Sequence, residues 1–215
     1  MLQLHPTKRR RKRPLFRFSN LHSFTLFAVL IAGMGMGALI TQQVLTPSQQ
    51  DRDIPDVGKS GIRVCFTPDN RCTRGIVDAI HSASSSIFVQ AYSFTSEPIT
   101  NALISAKDRG VDVRVILDKS QLTAKNSQIN ALLNADIPVF IDQITGIAHN
   151  KVMIIDDAYV LTGSFNFSHA ADFRNAENVL LLHDPNLARL YKDNWKERQK
   201  CSISCSSNLS PQPQN

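Results

Sequence analysis

Two short segments of this sequence place polar side chains where they could bind and attack a phosphate group. The first holds His149 and Lys151, at the start of an apolar run, and the second holds Ser164 and Asn166. Side chains two residues apart on a strand point to the same face. His149 and Lys151 can therefore meet one ligand, and so can Ser164 and Asn166.

These residue types suit nucleophilic attack on a phosphodiester. A neutral imidazole such as that of His149 is a competent nucleophile, and the ammonium of Lys151 beside it offsets the charge that builds on the phosphate oxygens. Ser164 and Asn166 can donate hydrogen bonds to the same oxygens. Glu177 is a candidate to accept a hydrogen bond from the second imidazole nitrogen and so to hold the tautomer of His149.

Neighbouring aromatic and histidine residues have simpler interpretations. Phe165 and Phe167 could stack on a base, but their alternation with Asn166 favours core residues beneath the site. His169 and His183 lie in no comparable pattern, and we interpret both as bystanders.

The segments that must position these side chains follow an α/β pattern from residue 61 onward. Short β-branched runs predict strands at residues 62–66, 87–92, 111–117, 138–141, 152–155 and 159–162. Helical spacing predicts helices at residues 73–83, 96–110, 121–134 and 186–200.

Individual residues sharpen this pattern. Thr73 is the expected cap of the first helix, and Gly110 is expected to end the second helix in a left-handed conformation. The last helix carries its expected core residues at helical spacing: Leu187, Leu190, Tyr191 and Trp195.

The first 45 residues are expected to direct the chain to a membrane. Seven Lys and Arg and no acidic residue occur in the first twenty positions, and residues 23–45 are uncharged and largely apolar. A cationic flank stays in the cytoplasm while about 20 apolar residues can span the hydrocarbon core. We favour a transmembrane anchor, with residues 46–60 as its linker, over a cleaved signal peptide, because the run exceeds the roughly 7–15 residues of a signal core. Either predicts the bacterial periplasm or the extracytoplasmic face of the inner membrane.

The net charge of +6 comes from that cationic segment. Of 24 Lys and Arg, seven lie in it, so 17 remain against all 18 Asp and Glu. Bulk charge therefore gives no support for nucleic-acid binding, which would need a local cationic groove. Arg174, Lys119 and Lys125 could line such a groove, although each taken singly is more simply a solvated surface charge.

Four cysteines fall in two close pairs, Cys65 with Cys72 and Cys201 with Cys205. An extracytoplasmic location would permit disulfides, and three pairings are open. A zinc site is the rival interpretation, which the lack of a tight CxxC spacing disfavours. Residues 206–215, rich in Ser, Pro, Gln and Asn, are expected to be disordered.

His149, Lys151 and Asp156 fit the pattern HxKxxxxD, and the segment GSFNFS follows at residues 163–168. With similar segments across residues 61–200, they resemble the phospholipase D superfamily, and in particular its single-motif bacterial endonucleases. The resemblance implies an α/β catalytic domain at residues 61–205, with a mixed sheet flanked by helices. Asp156 belongs to the catalytic motif, and we assign it a mainly structural role at a hairpin.

In that family two such motifs face each other, and one histidine attacks phosphorus to form a phosphohistidine while the other protonates the leaving oxygen. This chain has one motif, so the resemblance implies a homodimer with His149 of both subunits at one site. It also implies that Lys151, Ser164 and Asn166 bind the phosphate, that Glu177 orients His149, and that no metal or other cofactor takes part. The sequence contains no HExxH or P-loop pattern.

Three functions are compatible with these features. A metal-independent, non-specific endonuclease acting on DNA or RNA is favoured, because the resemblance is closest to the single-motif endonucleases. A phospholipase D acting on phospholipid headgroups or cardiolipin is the alternative, which a membrane anchor would favour. A catalytically silent, membrane-anchored nucleic-acid-binding protein is the third, and the intact His149, Lys151 and Asn166 argue against it.

Overall fold

A computed structural model of the protein describes residues 61–68 and 71–205. The expected anchor or signal segment, its linker and the expected disordered tail lie outside these residues. In the part that is described, no helix is both long enough and apolar enough to cross a membrane.

Eight strands form one mixed sheet. Their bounds are β1 (Ile62–Phe66), β2 (Ser86–Ala91), β3 (Asp112–Asp118), β4 (Val139–Asp142), β5 (Lys151–Ile155), β6 (Tyr159–Gly163), β7 (Asn178–His183) and β8 (Ser202–Ser204). The order across the sheet is β1-β7-β6-β5-β2-β3-β4-β8. Strands β2, β3 and β4 are parallel to one another, and the other neighbouring pairs are antiparallel. The expected mixed α/β architecture is confirmed.

Helices cover both faces of this sheet. They are α1 (Cys72–His81), α2 (Glu97–Asp108), α3 (Ile129–Asn134), α4 (His169–Phe173) and α5 (Pro185–Lys200). Alternate residues of β2 divide between the two cores: Ile87 and Val89 join the apolar faces of α1, α2 and α3, whereas Phe88 joins Trp195 of α5. Strands β2 and β5 are buried at every position, as expected of central strands covered on both faces.

The strand registers gather several chain turns at one edge of the sheet, which we call the C-terminal edge. Strands β1, β2, β3, β4 and β6 end there, and β5, β7 and β8 begin there. The segments that carry the candidate site residues His149, Ser164 and Glu177 adjoin this edge.

The segment after β3 differs from the predicted long helix. It forms a 3-10 helix (Lys119–Leu122), then a turn with Asn126 at φ 66°, and only then α3. The amide oxygen of Gln121 accepts a buried hydrogen bond from the Phe94 N–H, and the Gln128 N–H donates to the Phe94 carbonyl. These contacts with a distant part of the chain outweigh the local helical pattern.

Capping of the first helix also differs from the prediction. Helix α1 begins at Cys72 without a side-chain cap from its own segment. The Thr73 N–H instead donates to the buried Asp172 carboxylate, 99 residues later, at 3.1 Å. The expectation for Thr73 was therefore wrong, because a distant acceptor supplies the cap.

Other single-residue predictions had mixed outcomes. Gly110 has φ 93° after α2, as expected for a left-handed helix end. Trp195 is buried, and its indole N–H donates to the Val89 carbonyl at 2.8 Å. Leu190 is 61% exposed, so its assignment to the core was wrong.

A disulfide between Cys65 and Cys72 joins the end of β1 to the start of α1. This decides one of the open pairings and leaves those two cysteines unable to bind zinc. Cys201 and Cys205 flank β8 and carry free thiols, the first exposed and the second buried.

Candidate active site

His149 and Lys151 stand at the start of β5, on the C-terminal edge. The His149 ring packs against Tyr92, the residue that follows β2, with ring centroids 4.6 Å apart. The Lys151 ammonium lies 5.1 Å from the centroid of the Tyr92 ring and donates to the His149 carbonyl at 2.8 Å. Tyr92 thus contacts both motif residues. It was not among the site residues predicted from the sequence. The sequence feature that could have identified Tyr92 is its position as an aromatic residue directly after a buried strand.

Lys151 is buried, unlike the exposed His149. Burial lowers the pKa of Lys151 below its ordinary value of 10.5, and the negative charge of Glu177 opposes this effect. A partly desolvated ammonium without a carboxylate bonded to it is well suited to bind a phosphate oxygen.

Ser164 and Glu177 form one hydrogen-bonded unit. The Ser164 hydroxyl donates to one carboxylate oxygen of Glu177 at 2.5 Å, and Asn175 Nδ2 donates to the other at 2.8 Å. The Glu177 backbone is held by Thr67, through hydrogen bonds of 3.1 Å and 3.0 Å. Both partners of the unit come from strand ends at the C-terminal edge.

The expected hydrogen bond from His149 to Glu177 is not formed within residues 61–68 and 71–205. Both carboxylate oxygens of Glu177 are instead occupied by Ser164 and Asn175. In the single chain, Glu177 therefore contacts the residue expected to bind phosphate rather than the residue expected to attack it.

Asn166 lies between two buried rings. Phe165 and Phe167 are fully buried, which supports the core interpretation over base stacking. The Asn166 side-chain oxygen is buried and has no hydrogen-bond partner in the described part of the chain. Buried polar atoms are normally paired, so this oxygen can still accept a hydrogen bond, whereas contact with a phosphate oxygen would use the NH2 group of the same amide.

Asp156 lies at the opposite end of β5, where it and Asp157 are the first two residues of the turn at residues 156–158. Both residues have φ 54°, and the turn joins β5 to β6. The Asp156 carboxylate accepts hydrogen bonds of 2.8–3.0 Å from backbone and hydroxyl groups of residues 84–86. The whole length of β5, about 16 Å, separates it from the end of the strand that carries His149. The structure therefore does not bring Asp156 to the site.

The hydrogen bonds of Asp156 also determine its ionisation. Burial alone would raise its pKa, but the backbone N–H groups of Ser86, Ser85 and Ser84 lower it from 3.8 to about 2. The carboxylate thus ties the β5–β6 turn to the start of β2. This placement supports a structural role.

The two histidines interpreted as bystanders, His169 and His183, each stack on an aromatic ring. His183 stacks on Tyr159 at the far edge of the sheet, and His169 stacks on Phe173, each with centroids 4.5 Å apart. In the two described ranges, no group of three or more His, Cys, Asp and Glu side chains is placed to hold a metal ion.

Comparison with known proteins identifies the family. The family model described as "Cardiolipin synthase, PLD-like domain" matches residues 76–198. A Rickettsia conorii protein named phospholipase D is 47% identical over 164 residues, which cover 75% of this chain and 82% of the relative. A Xenopus laevis mitochondrial cardiolipin hydrolase is 30% identical over 73% of this chain and 76% of its own length.

A solved structure agrees with these relatives. The phospholipase D family member Nuc from Salmonella typhimurium is 37% identical, with a TM-score of 0.64, over 68% of this chain and 98% of that chain. The chain belongs to the phospholipase D superfamily. It is accordingly a hydrolase that acts on phosphodiesters.

Proposed function

We propose that this protein is a phospholipase D, which hydrolyses the headgroup phosphodiester of phospholipids with His149 as the nucleophile. The observation that carries this choice of substrate is a group of exposed apolar side chains beside the candidate site. We call this group, Phe66, Ile144 and Ile147, the apolar rim.

Two members of the apolar rim are close in the chain to residues at or beside the candidate site. Ile147 is 56% exposed and lies two residues before His149. Phe66 is 57% exposed and precedes Thr67, which holds the Glu177 backbone. Exposed apolar side chains beside a site can mark an interaction surface, and their transfer into the acyl region of a bilayer is favourable.

Relatives support the same substrate. The Rickettsia conorii relative named phospholipase D and the Xenopus laevis relative named cardiolipin hydrolase both bear names of lipid-cleaving enzymes. The resemblance to single-motif endonucleases favours nucleic acid as the substrate, whereas the apolar rim and these relatives favour lipid.

The proposed reaction has two steps. An imidazole nitrogen of His149 forms a bond to phosphorus, and the bond from phosphorus to the headgroup oxygen breaks with its electron pair. His149 of the partner subunit gives the leaving oxygen its proton. Water then attacks phosphorus and gives a proton to His149 of the partner subunit, which restores the proton lost in the first step. The bond from nitrogen to phosphorus breaks with its electron pair, and phosphatidic acid and His149 are released. Lys151 and Asn166 bind the non-bridging oxygens in both steps.

An endonuclease is the second candidate, because the motif resembles that of the single-motif bacterial endonucleases. The phospholipase D family member Nuc from Salmonella typhimurium is also matched over 98% of its length. The same histidine chemistry would cleave a nucleic-acid backbone. Arg174 and Lys125 are exposed cations of the same domain that could contact further phosphates.

Parallel substrate assays test the proposal on the full-length chain. Wild type and His149→Ala are incubated in EDTA with phosphatidylcholine vesicles, cardiolipin vesicles, single-stranded DNA and RNA. We expect release of headgroup or phosphatidic acid by wild type alone. Cleavage of nucleic acid without lipid turnover would instead establish the endonuclease, and full activity of His149→Ala would refute the mechanism.

A second pair of variants tests the apolar rim. Ile147→Ser should lower turnover of vesicles while leaving turnover of a monomeric short-chain phospholipid unchanged. Leu190→Ser is the matched control, because Leu190 is equally exposed but lies on α5. Equal vesicle turnover by both variants would show that the apolar rim does not contact lipid.

A further inference from the structure

We propose that Asp118 is a positioning residue for the nucleophile, acting through the backbone that carries His149. Asp118 is the last residue of β3 and is 1% exposed. One carboxylate oxygen accepts a buried hydrogen bond of 2.7 Å from the N–H of Ala148, the residue before His149. The other accepts from the Ser120 N–H at 2.9 Å.

The segment that Asp118 holds lies mostly at the surface. Residues 143–150, which we call the histidine loop, connect β4 to β5, and residues 143–147 are all exposed. The Lys119 ammonium donates to the carbonyls of Ile144 and Thr145, at 3.2 Å and 3.4 Å. Lys119, the residue after β3, therefore binds the first half of the histidine loop, and Asp118, the last residue of β3, binds the second half.

The backbone of His149 is fixed on either side. Before it, the Ala148 N–H is bound by Asp118, and after it, the Asn150 carbonyl accepts from the Tyr92 N–H at 2.9 Å. The nucleophile is thus held by the ends of β3 and β2, two strands of the rigid sheet. A displacement of about 1 Å at such a residue can lower a rate by about 10²-fold.

The charge of Asp118 strengthens this attachment. Burial alone would raise its pKa, but hydrogen bonds from Ser120 and Ala148, with the charge of Lys119, lower it below 3.8. The group is therefore an ionised acceptor at neutral pH, and hydrogen bonds to ionised acceptors are roughly twice as strong as neutral ones.

The test compares Asp118→Asn with Asp172→Asn in the full-length chain. The first substitution keeps the shape of the side chain but turns an NH2 group toward one of two N–H donors. We expect kcat to fall about 10- to 100-fold with KM within about twofold, together with faster hydrogen exchange at the Ala148 amide. Asp172 is similarly buried and also accepts a backbone N–H, from Thr73 in α1. Its variant should lose comparable stability and keep its kcat.

Lys119→Met provides a second test that leaves the core intact, because Lys119 is exposed. It should lower kcat in the same direction by removing the hydrogen bonds from Lys119 to the first half of the histidine loop. Wild-type kcat in folded Asp118→Asn, or in Lys119→Met should the first variant not fold, would overturn the proposal. The inference rests on His149 as nucleophile, and loss of activity in His149→Ala tests that premise separately.

Discussion

The candidate site contains two groups of side chains with different surroundings. His149 and Lys151 share the face of Tyr92, whereas Ser164 and Glu177 bond to each other at the ends of neighbouring strands. The charge of Glu177 connects the groups, because it counteracts the effect of burial on Lys151. The ionisation of Lys151 thus depends on a carboxylate that makes no hydrogen bond to it.

Glu177→Gln should move the alkaline limb of the pH–rate profile to lower pH. Burial already lowers the pKa of Lys151, and removal of the Glu177 charge would lower it further. The ammonium form of Lys151, which we propose to bind phosphate, would then be lost at a lower pH. Profiles of kcat/KM above pH 7 check this, with the exposed Glu97→Gln as control. If the alkaline limb does not move, Lys151 does not cause that limb. Lys151→Arg should remove the alkaline limb, because Arg stays charged over this pH range.

At the scale of elements, the ends of β5 have different tasks. One end begins at Lys151 and presents the site, and the other is fastened to β2 through Asp156. The motif HxKxxxxD therefore extends along β5, from the end beside the candidate site to the end that Asp156 fastens to β2. The Asp156 carboxylate makes its hydrogen bonds at that fastened end, which supports a structural role for it.

Asp156→Asn should destabilise the fold by about 1–3 kcal/mol at neutral pH, because several donors lose a charged acceptor. Asn tolerates positive φ as Asp does, so the turn itself is little strained. With a folded pKa of about 2 against 3.8 unfolded, the stabilisation by Asp156 is present above pH 3.8 and is lost as the pH falls toward 2. The difference between variant and wild type should narrow over that range.

Urea unfolding at a series of pH values measures this difference. Asp157→Asn is the matched control, because Asp157 occupies the same turn with the same φ but forms only a surface ion pair with Lys192. We expect a cost of about 0–1 kcal/mol for the control. A constant difference between Asp156→Asn and wild type down to pH 2 would contradict the assigned role.

At the scale of the whole molecule, the main question is whether one chain or two chains form the active site. The single motif supplies one catalytic histidine per chain, and the proposed mechanism needs two. A two-fold dimer that places the C-terminal edges together would supply both, since such closed symmetry is the commonest in homo-oligomers. The exposed position of His149 at that edge is compatible with a shared site.

Subunit mixing tests the shared site. Wild type is unfolded and refolded with a large excess of His149→Ala, about ninefold, so that most wild-type subunits pair with an inactive one. Activity per wild-type chain should fall to roughly a tenth if both histidines are needed. Refolding with the same excess of an unrelated protein is the control. Unchanged activity per wild-type chain would mean that each subunit works alone.

The sequence by itself determined the features that depend on residues close together in the chain. Central strands appear as continuous apolar runs. The spacing of His149 and Lys151 can be read directly from the sequence, although His149 lies two residues before β5. The motif identified the superfamily and its phosphodiesterase chemistry, which the comparisons show. Even the structural interpretation of Asp156 could be drawn from its place between two predicted strands.

Only the tertiary structure decided which distant residues meet. The Asp118 carboxylate reaches Ala148 across 30 residues, and Thr73 is capped by Asp172 across 99. The segment after β3 does not form the predicted long helix, because Gln121 bonds to Phe94. Glu177 bonds to Ser164 rather than to His149. Local periodicity reports which face of an element is buried, but it carries no information on such hydrogen bonds, which arise only once the sheet has assembled.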